Sequence, residues 1–114
     1  MDPLSALLIG KALDGLALRS TIISQNIANA NSADYVPRSV AFETQLRNAA
    51  AQGPGAIQAV HPRVELARGS FANGEMRLDL EMAASSQTAL RYAALVDILN
   101  RQMQIARSAI RGGQ

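Results

Sequence analysis

The chain contains no cysteine and no tryptophan, and aromatic residues make up 4% of its 114 positions. Without cysteine it has neither disulfides nor thiol chemistry. With so few rings, its apolar content of 48% consists mostly of Ala, Leu, Ile, Val and Met, a set that suits packing between helices. At this length we expect a single domain, residues 1–114, with a modest core.

Strong charge of one sign is also missing. Eleven basic and nine acidic residues give a net charge of +2, and the basic residues are scattered singly. A nucleic-acid partner is therefore not expected. No apolar run approaches the roughly 18 residues of a membrane span. Asp2 and Pro3 precede the first apolar residues, so we expect no Sec-type signal peptide, and any export would use a route without a cleaved signal.

Groups that perform catalysis are scarce. The one histidine, His61, lies beside Pro62 in a predicted loop, with no second ligand at metal-binding spacing. The segment Gly53-Pro54-Gly55 lacks the Lys-Ser/Thr of a phosphate-binding loop. Glu75, Asp79 and Glu81 alternate with apolar residues, which predicts a solvated strand face. We therefore predict a non-enzymatic protein with no metal and no cofactor.

A long helix is predicted over residues 3–31, with Asp2 as its N-cap and Pro3 in its first turn. Its apolar residues recur at spacings of three and four, which is a heptad seam with one polar member. The members of this N-terminal seam are Ile9, Leu13, Leu16, Ser20, Ile23, Ile27 and Ala30.

A second long helix is predicted over residues 81–111, where the same spacing returns and Gly112-Gly113 ends it. The aromatic and methionine side chains of its seam, Tyr92 and Met103, are expected to be ordinary core residues. The members of this C-terminal seam are Met82, Ser85, Ala89, Tyr92, Val96, Leu99, Met103, Ala106 and Ile110.

Between the helices, residues 32–80 contain the prolines and glycines that interrupt long helices. Residues 40–46 fit either a short helix or an extended piece, and residues 49–59 are predicted to be a flexible linker. Residues 63–67 and 75–80 both alternate polar with apolar, which predicts a β-hairpin between them. The predicted fold is mainly α: two long terminal helices pairing as an antiparallel coiled coil, with a short irregular or β-hairpin middle.

The first helix has a second apolar face, formed by Leu4, Leu8, Leu18 and Ile22. One partner helix covers only one face. Burial of an apolar side chain contributes roughly 1.5–3 kcal/mol, whereas ordering each residue's backbone costs about 1–2 kcal/mol. A lone two-helix hairpin is thus marginal, and we expect the remaining faces to contact other copies or other proteins.

The first helix ends in a run that contains Asn26, Asn29 and Asn31, followed by Tyr35. Asparagine tolerates the left-handed conformation that ends helices, so the run fits a plain helix terminus. The same amides also fit a second role, in which they fix the turn into the middle region and bond neighbouring subunits. Both interpretations stay open at this point.

These residues carry a resemblance to a known family. The segment Asn26-Ile27-Ala28-Asn29-Ala30, with Tyr35 and Phe42-Glu43 after it, resembles the flagellar rod and hook protein superfamily, whose motif continues with Thr-Pro-Gly-Tyr. Ser32-Ala33-Asp34 replaces that Thr-Pro-Gly. Residues 89–92, 99–100 and 108–112 are similar to the ending of a proximal rod subunit.

The resemblance implies a structural subunit of the proximal rod in the flagellar basal body, which self-assembles and transmits torque from motor to hook. It implies export through the flagellar type III apparatus into the periplasmic rod. The implied partners are other copies of the chain, other rod subunits, and adaptor proteins near the MS ring and export gate. It also implies that the terminal helices pack against neighbouring subunits.

Two alternatives remain. One is a different proximal rod subunit of the same superfamily. The other is a cytoplasmic coiled-coil adaptor or secretion chaperone. A basic amphipathic membrane binder is disfavoured, because the polar face of the first helix is nearly neutral and rich in asparagine.

Overall fold

The structure is a computed structural model that describes residues 1–67, 71–72 and 75–112. Two long helices stand at the two ends of the chain, and the segment between them forms short helices and short antiparallel strands. The predicted mainly α architecture is therefore confirmed. The elements in chain order are α1 (Pro3–Ala28), β1 (Arg38–Ala41), α2 (Glu43–Ala50), α3 (Pro54–Gln58), β2 (Arg63–Leu66), β3 (Phe71–Ala72), β4 (Glu75–Met76) and α4 (Leu78–Gly112).

The start of α1 is fixed by a side-chain cap. The Asp2 carboxylate accepts the Ser5 backbone N–H at 2.8 Å, and this bond lowers the pKa of Asp2. Pro3 occupies the first turn, where its missing N–H has no helical partner to lose. The predicted cap and proline are thus both present.

α1 ends at Ala28, three residues before the predicted end. The Asn29 amide donates to the Gln25 carbonyl at 2.8 Å and accepts the Ser32 hydroxyl at 3.0 Å, which closes the last turn. Asp34 then takes a φ of 63°, the left-handed region that aspartate tolerates better than most residues. It stands where the resembled motif has glycine, so the chain makes this turn with aspartate in a conformation that favours glycine.

α4 runs antiparallel to α1, because the end of α1 meets the start of α4. Asn26 bonds Glu81, and Leu16 lies in the cluster that Leu95 packs against. α4 begins at Leu78, three residues earlier than predicted. At 1.5 Å per residue it is about 52 Å long, against about 39 Å for α1. No helix in the described ranges combines the length and hydropathy that crossing a membrane requires.

The molecule is elongated. Its extents are 64 × 27 × 15 Å and its radius of gyration is 17.7 Å, whereas a compact domain of this length has a radius of about 13 Å. The excess follows from the two long helices lying side by side along one axis.

The strands pair differently from the predicted hairpin. β2 pairs antiparallel with β1, and Val40 lies opposite Val64. β3 and β4 form a second small antiparallel pair, with residues 73–74 of the predicted hairpin outside the described residues. Residues 78–80 already belong to α4. The predicted pairing of residues 63–67 with 75–80 is therefore wrong, because alternation marks a strand without naming its partner.

The predicted linker is also wrong. Residues 49–59 contain the end of α2 and all of α3, and Ile57 is fully buried. Together with Ala49 and Val60 it forms a cluster against the α1 side chains Leu4, Leu7 and Leu8. The middle of the chain therefore covers the second apolar face of α1, which we expected to meet other molecules.

A second cluster joins α1 to β1 and α2. Leu16, Ile22, Val40 and Phe42 form its buried part. The Phe42 ring lies so close to α1 that a Cβ added at Gly15 would be 2.5 Å from it. This contact requires glycine at position 15.

We predict that Gly15→Ala lowers the free energy of unfolding by about 1–2 kcal/mol, because the added methyl group displaces the Phe42 ring by more than its better helix propensity recovers. Urea unfolding followed by circular dichroism measures the change. Gly10→Ala is the matched control in the same helix: a Cβ there meets no atom within 4 Å, so a gain of about 0.5–1 kcal/mol is expected. Equal stabilisation by both substitutions would contradict the packing.

Candidate interaction surface

The face of α4 that contacts α1 repeats every seven residues. Glu81 and Thr88 are buried on it, and Leu95 and Gln102 are half-buried. Met82, a member of the predicted C-terminal seam, is 54% exposed. The contact face overlaps the predicted seam at Val96 and Leu99, which are half-buried. It is turned from the seam by less than one residue, because three of its four positions, Glu81, Thr88 and Gln102, are polar and gave no apolar signal.

No described residue of the chain covers the last three turns of α4. Each of residues 103–112, which we call the α4 tail, is exposed. Its large apolar side chains, Met103, Ile105 and Ile110, are 48%, 60% and 70% exposed. The register set by Asn26 and Glu81 places the start of α1 opposite about residue 104, so α4 continues past its partner helix.

A groove opens between the two helices near their middle. It has a volume of about 410 Å³ and is apolar on most of its surface. We call it the α1–α4 groove. It is lined by Leu16, Ala17, Ser20, Thr88, Ala89, Tyr92 and Ala93, so small side chains form much of its wall and Leu16 and Tyr92 are its large members.

The outward side of α1 near this groove is poor in charge. α1 contains three charged residues, Lys11, Asp14 and Arg19. Lys11 donates to the Val60 carbonyl at 3.1 Å, and Arg19 is paired with Glu43. Asp14 is thus the charge that α1 presents to solvent. The exposed polar residues of α1 that follow are uncharged, Ser20, Thr21, Ser24 and Gln25, so this side of α1 carries a neutral polar face.

The buried amide of Asn26 fixes the two long helices relative to each other. Asn26 is 0% exposed. Its Nδ2 donates to the Arg38 carbonyl at 2.7 Å and to Glu81 Oε2 at 3.1 Å. Its Oδ1 accepts the Tyr35 hydroxyl at 2.7 Å and the Arg38 N–H at 3.0 Å. One side chain therefore joins α1, the segment before β1, and the first turns of α4.

This geometry decides part of the question about the asparagine run. Asn26 and Asn29 both form hydrogen bonds that fix the exit from α1. This agrees with the first half of the second interpretation, in which the amides fix the turn into the middle region. Asn31 is exposed. A role of these amides in bonding neighbouring subunits stays a prediction.

A second polar cluster fastens α1 to the middle of the chain. Arg19 donates to both Glu43 carboxylate oxygens at 2.7 and 2.6 Å and to the Val40 carbonyl at 2.7 Å. Its guanidinium lies 4.9 Å from the centre of the Phe42 ring. The hydrogen bonds from Arg19 hold the pKa of Glu43 below its ordinary value, against a smaller opposing effect of burial. Arginine suits this site because its planar fork binds a carboxylate at two points and stacks on a ring.

The structure divides the predicted site residues into three groups. Leu16, Ile23 and Asn26 are buried. Seven are half-buried: Ile9, Leu13, Ile27, Asn29, Tyr35, Val96 and Leu99. Four are exposed: Asn31, Tyr92, Met103 and Ile110. The expectation that Tyr92 and Met103 are ordinary core residues is therefore wrong, because Tyr92 lines the open α1–α4 groove and Met103 lies in the α4 tail.

Sequence reasoning missed the two buried polar residues of the helix contact. Glu81 was predicted to be on a solvated strand, but it is 8% exposed on α4. Thr88 was not singled out. Glu81 and Thr88 lie on a seven-residue repeat with Leu95 and Gln102. A search for heptad repeats detects it only if polar residues are allowed at the repeat positions.

The chemistry that the surface offers is apolar contact. Within residues 1–67, 71–72 and 75–112 no three His, Cys, Asp or Glu side chains cluster as metal ligands would. His61 is exposed. The α4 tail exposes large apolar side chains, and the α1–α4 groove is open and mostly apolar.

The fold defines a class of chain: two antiparallel terminal helices, with a small middle that covers one side of the first helix. A comparison with known proteins adds a more particular similarity. The chain is 28% identical to the flagellar basal body rod protein FlgB of Cereibacter sphaeroides over an alignment 122 residues long, which covers 91% of this chain and 94% of the relative. No protein-family model matches the chain. The similarity supports the resemblance to flagellar rod proteins, and it extends over nearly the whole length of both chains.

We predict that Asn26→Ala lowers the free energy of unfolding by about 3 kcal/mol, because it leaves buried partners of the amide without hydrogen bonds. Thermal and urea unfolding measure this loss. Asn31→Ala, at an exposed asparagine of the same run, is expected to change stability by less than about 0.5 kcal/mol. A small effect of Asn26→Ala would show that the amide does not fasten the helices.

A charge swap tests the bond between the two helices directly. Asn26→Asp places a second carboxylate beside Glu81 and removes the donor, so it should destabilise more than Asn26→Ala. Adding Glu81→Gln restores a donor between the two side chains, and the double variant should recover part of the loss. Purely additive effects would contradict direct coupling.

We predict that Glu43→Gln reduces stability at neutral pH and has no effect in acid. The pKa of Glu43 is lowered below 4.5 in the folded state, so its stabilisation is present above that value and is lost as the pH falls through the folded pKa. The Glu43 side chain is 45% exposed, which limits the effect to about 1 kcal/mol or less. Thermal unfolding from pH 7 to pH 2.5 follows it. Glu65→Gln on exposed β2 is the control. If the unfolding temperatures of Glu43→Gln and wild type differed by the same amount at every pH in this range, the ionised Glu43 would not be the source of the stabilisation.

Proposed function

We propose that this chain is a structural subunit of the rod in the bacterial flagellar basal body. The observation that carries the proposal is the exposed apolar α4 tail, which leaves a helix face to be completed by another molecule. The 28% identity to a flagellar basal body rod protein over 91% of the chain supports the same function. No catalytic role is proposed.

More particularly, we propose a proximal rod subunit that assembles through its terminal helices and transmits torque from motor to hook. The elongated shape supports this function, since two helices side by side offer a long surface over which many weak contacts share a load. The partners would be other copies, other rod subunits, and adaptor proteins near the MS ring and export gate. The chain would reach the periplasmic rod through the type III apparatus, without a cleaved signal.

The α4 tail provides the test. We predict that Ile110→Asp leaves the folded subunit intact but prevents its incorporation into the rod, because Ile110 is 70% exposed within the chain and would be desolvated in the assembly. The variant replaces the wild-type gene in the bacterium. Purified basal bodies are probed for the subunit, and swimming is scored on soft agar.

Ser108→Asp is the matched control, since it adds the same charge to the same exposed tail on the polar side of the helix. It should assemble and swim normally. Ile23 is unsuitable as a probe because it is 6% exposed and a charge there would unfold the chain. If wild-type protein is found only in the cytosol and never in basal bodies, the proposal fails and the adaptor or chaperone alternative is favoured.

A further inference from the structure

We propose that the α4 tail of one copy binds in the α1–α4 groove of a second copy, so that identical subunits join head to tail. This inference rests on the proposed function, because it names which two surfaces of the subunit meet. The continuity of one helix face, the shape of the groove, and the charges around both surfaces support this contact.

The first argument is continuity. The face of α4 that packs on α1 runs through Leu95, Leu99 and Gln102, and the same spacing continues into the tail through Ala106 and Ala109. Met103 and Ile110 flank this line. Because Asp2 caps α1 and fixes its start, the line loses its partner helix after Gln102. The tail thus presents the face that elsewhere in α4 packs against a helix.

The second argument is shape. The tail offers large side chains, Met103, Ile105 and Ile110, with alanines between them. The groove offers small side chains, such as Ala17, Ala89 and Ala93, around an open volume of about 410 Å³, with the larger Leu16 and Tyr92 also on its wall. Ridges of large side chains pack into grooves lined by small ones when two helices cross. A free volume of this size accommodates several aliphatic side chains at once.

The third argument is charge. The tail contains Arg107 and Arg111 and no acidic residue. The groove wall on α1 is followed, one turn toward the N-terminus of α1, by the exposed Asp14. The rim thus offers one carboxylate, Asp14, to an arginine of a docked tail, while the arginine of the rim itself, Arg91, lies 3.8 Å from Glu43. Opposite charges at a rim select the partner and its orientation more than they add affinity.

Tail and groove are different surfaces, so the contact is heterologous. Such contacts build rings or open helical filaments and do not close as two-fold dimers. A helix of ten residues is about 15 Å long, which buries much less than the roughly 1,200 Å² of a stable interface. Each contact is therefore weak alone, and covalent trapping suits it better than measuring a complex at equilibrium.

The absence of cysteine makes the trapping experiment clean. Two variants are made in the full chain, Ala93→Cys in the groove and Ala109→Cys in the tail, both at exposed alanines. Each is treated with a short bismaleimide alone and in an equal mixture. We expect covalent dimers in the mixture at least tenfold above either variant alone, and a ladder of oligomers from the double variant.

Ala59→Cys, at an exposed alanine of the middle region, is the matched control and should not trap with Ala109→Cys. Ile105→Asp added to Ala109→Cys should abolish dimers, and circular dichroism confirms that this variant is folded. Dimers of Ala109→Cys alone would overturn the proposal in favour of tail-to-tail pairing. Binding of the tail to anionic vesicles, abolished by the same Ile105→Asp change and without trapping in the mixture, would overturn it in favour of a membrane surface.

The same variants in cells separate this inference from the proposed function. Trapping between Ala93→Cys and Ala109→Cys, together with absence of the chain from basal bodies, would refute the rod and keep the interface. Presence in basal bodies, with no trapping between these positions there, would refute the interface and keep the rod.

Discussion

The buried Asn26 amide is the interaction on which the arrangement of this chain depends. Both poles of the amide are used, at distances of 2.7 to 3.1 Å, and its partners come from two other segments, residues 35–38 and the first turn of α4. A buried amide satisfied in this way allows one register, because any slip would leave several polar groups without partners. That register fixes where α4 runs beside α1 and where it runs alone.

The terminal helices were predictable from the sequence because their apolar residues repeat every three or four positions and their ends carry local signals, such as Asp2 and Asn29. The middle was not predictable, because its order comes from distant contacts. β1 pairs with a strand more than twenty residues away. Ile57 is isolated among glycines and prolines in the sequence, and it is buried because Ala49, Val60 and the leucines of the first turns of α1 enclose it.

The candidate surface was predicted in outline and missed in detail. A periodic search finds apolar residues, so it located the helix pair but misplaced the contact face, where Glu81 and Thr88 take two of the positions. The asparagine run indicated a special site, yet nothing local names Glu81 as the partner of Asn26. The second face of α1 was expected to contact other molecules, because the sequence does not show that α2 and α3 fold back over it.

The exposed α4 tail has a thermodynamic consequence. Its backbone is helical as a continuation of α4, but no described residue of the same chain buries its side chains, so cohesion within these turns rests on intrinsic propensity. A helix end in this condition frays readily. Any further stabilisation must be supplied from outside by mass action, and so it rises with the logarithm of the concentration of whatever binds there. The helix content of this end then depends on the concentration of a binding partner as well as on the sequence of the chain.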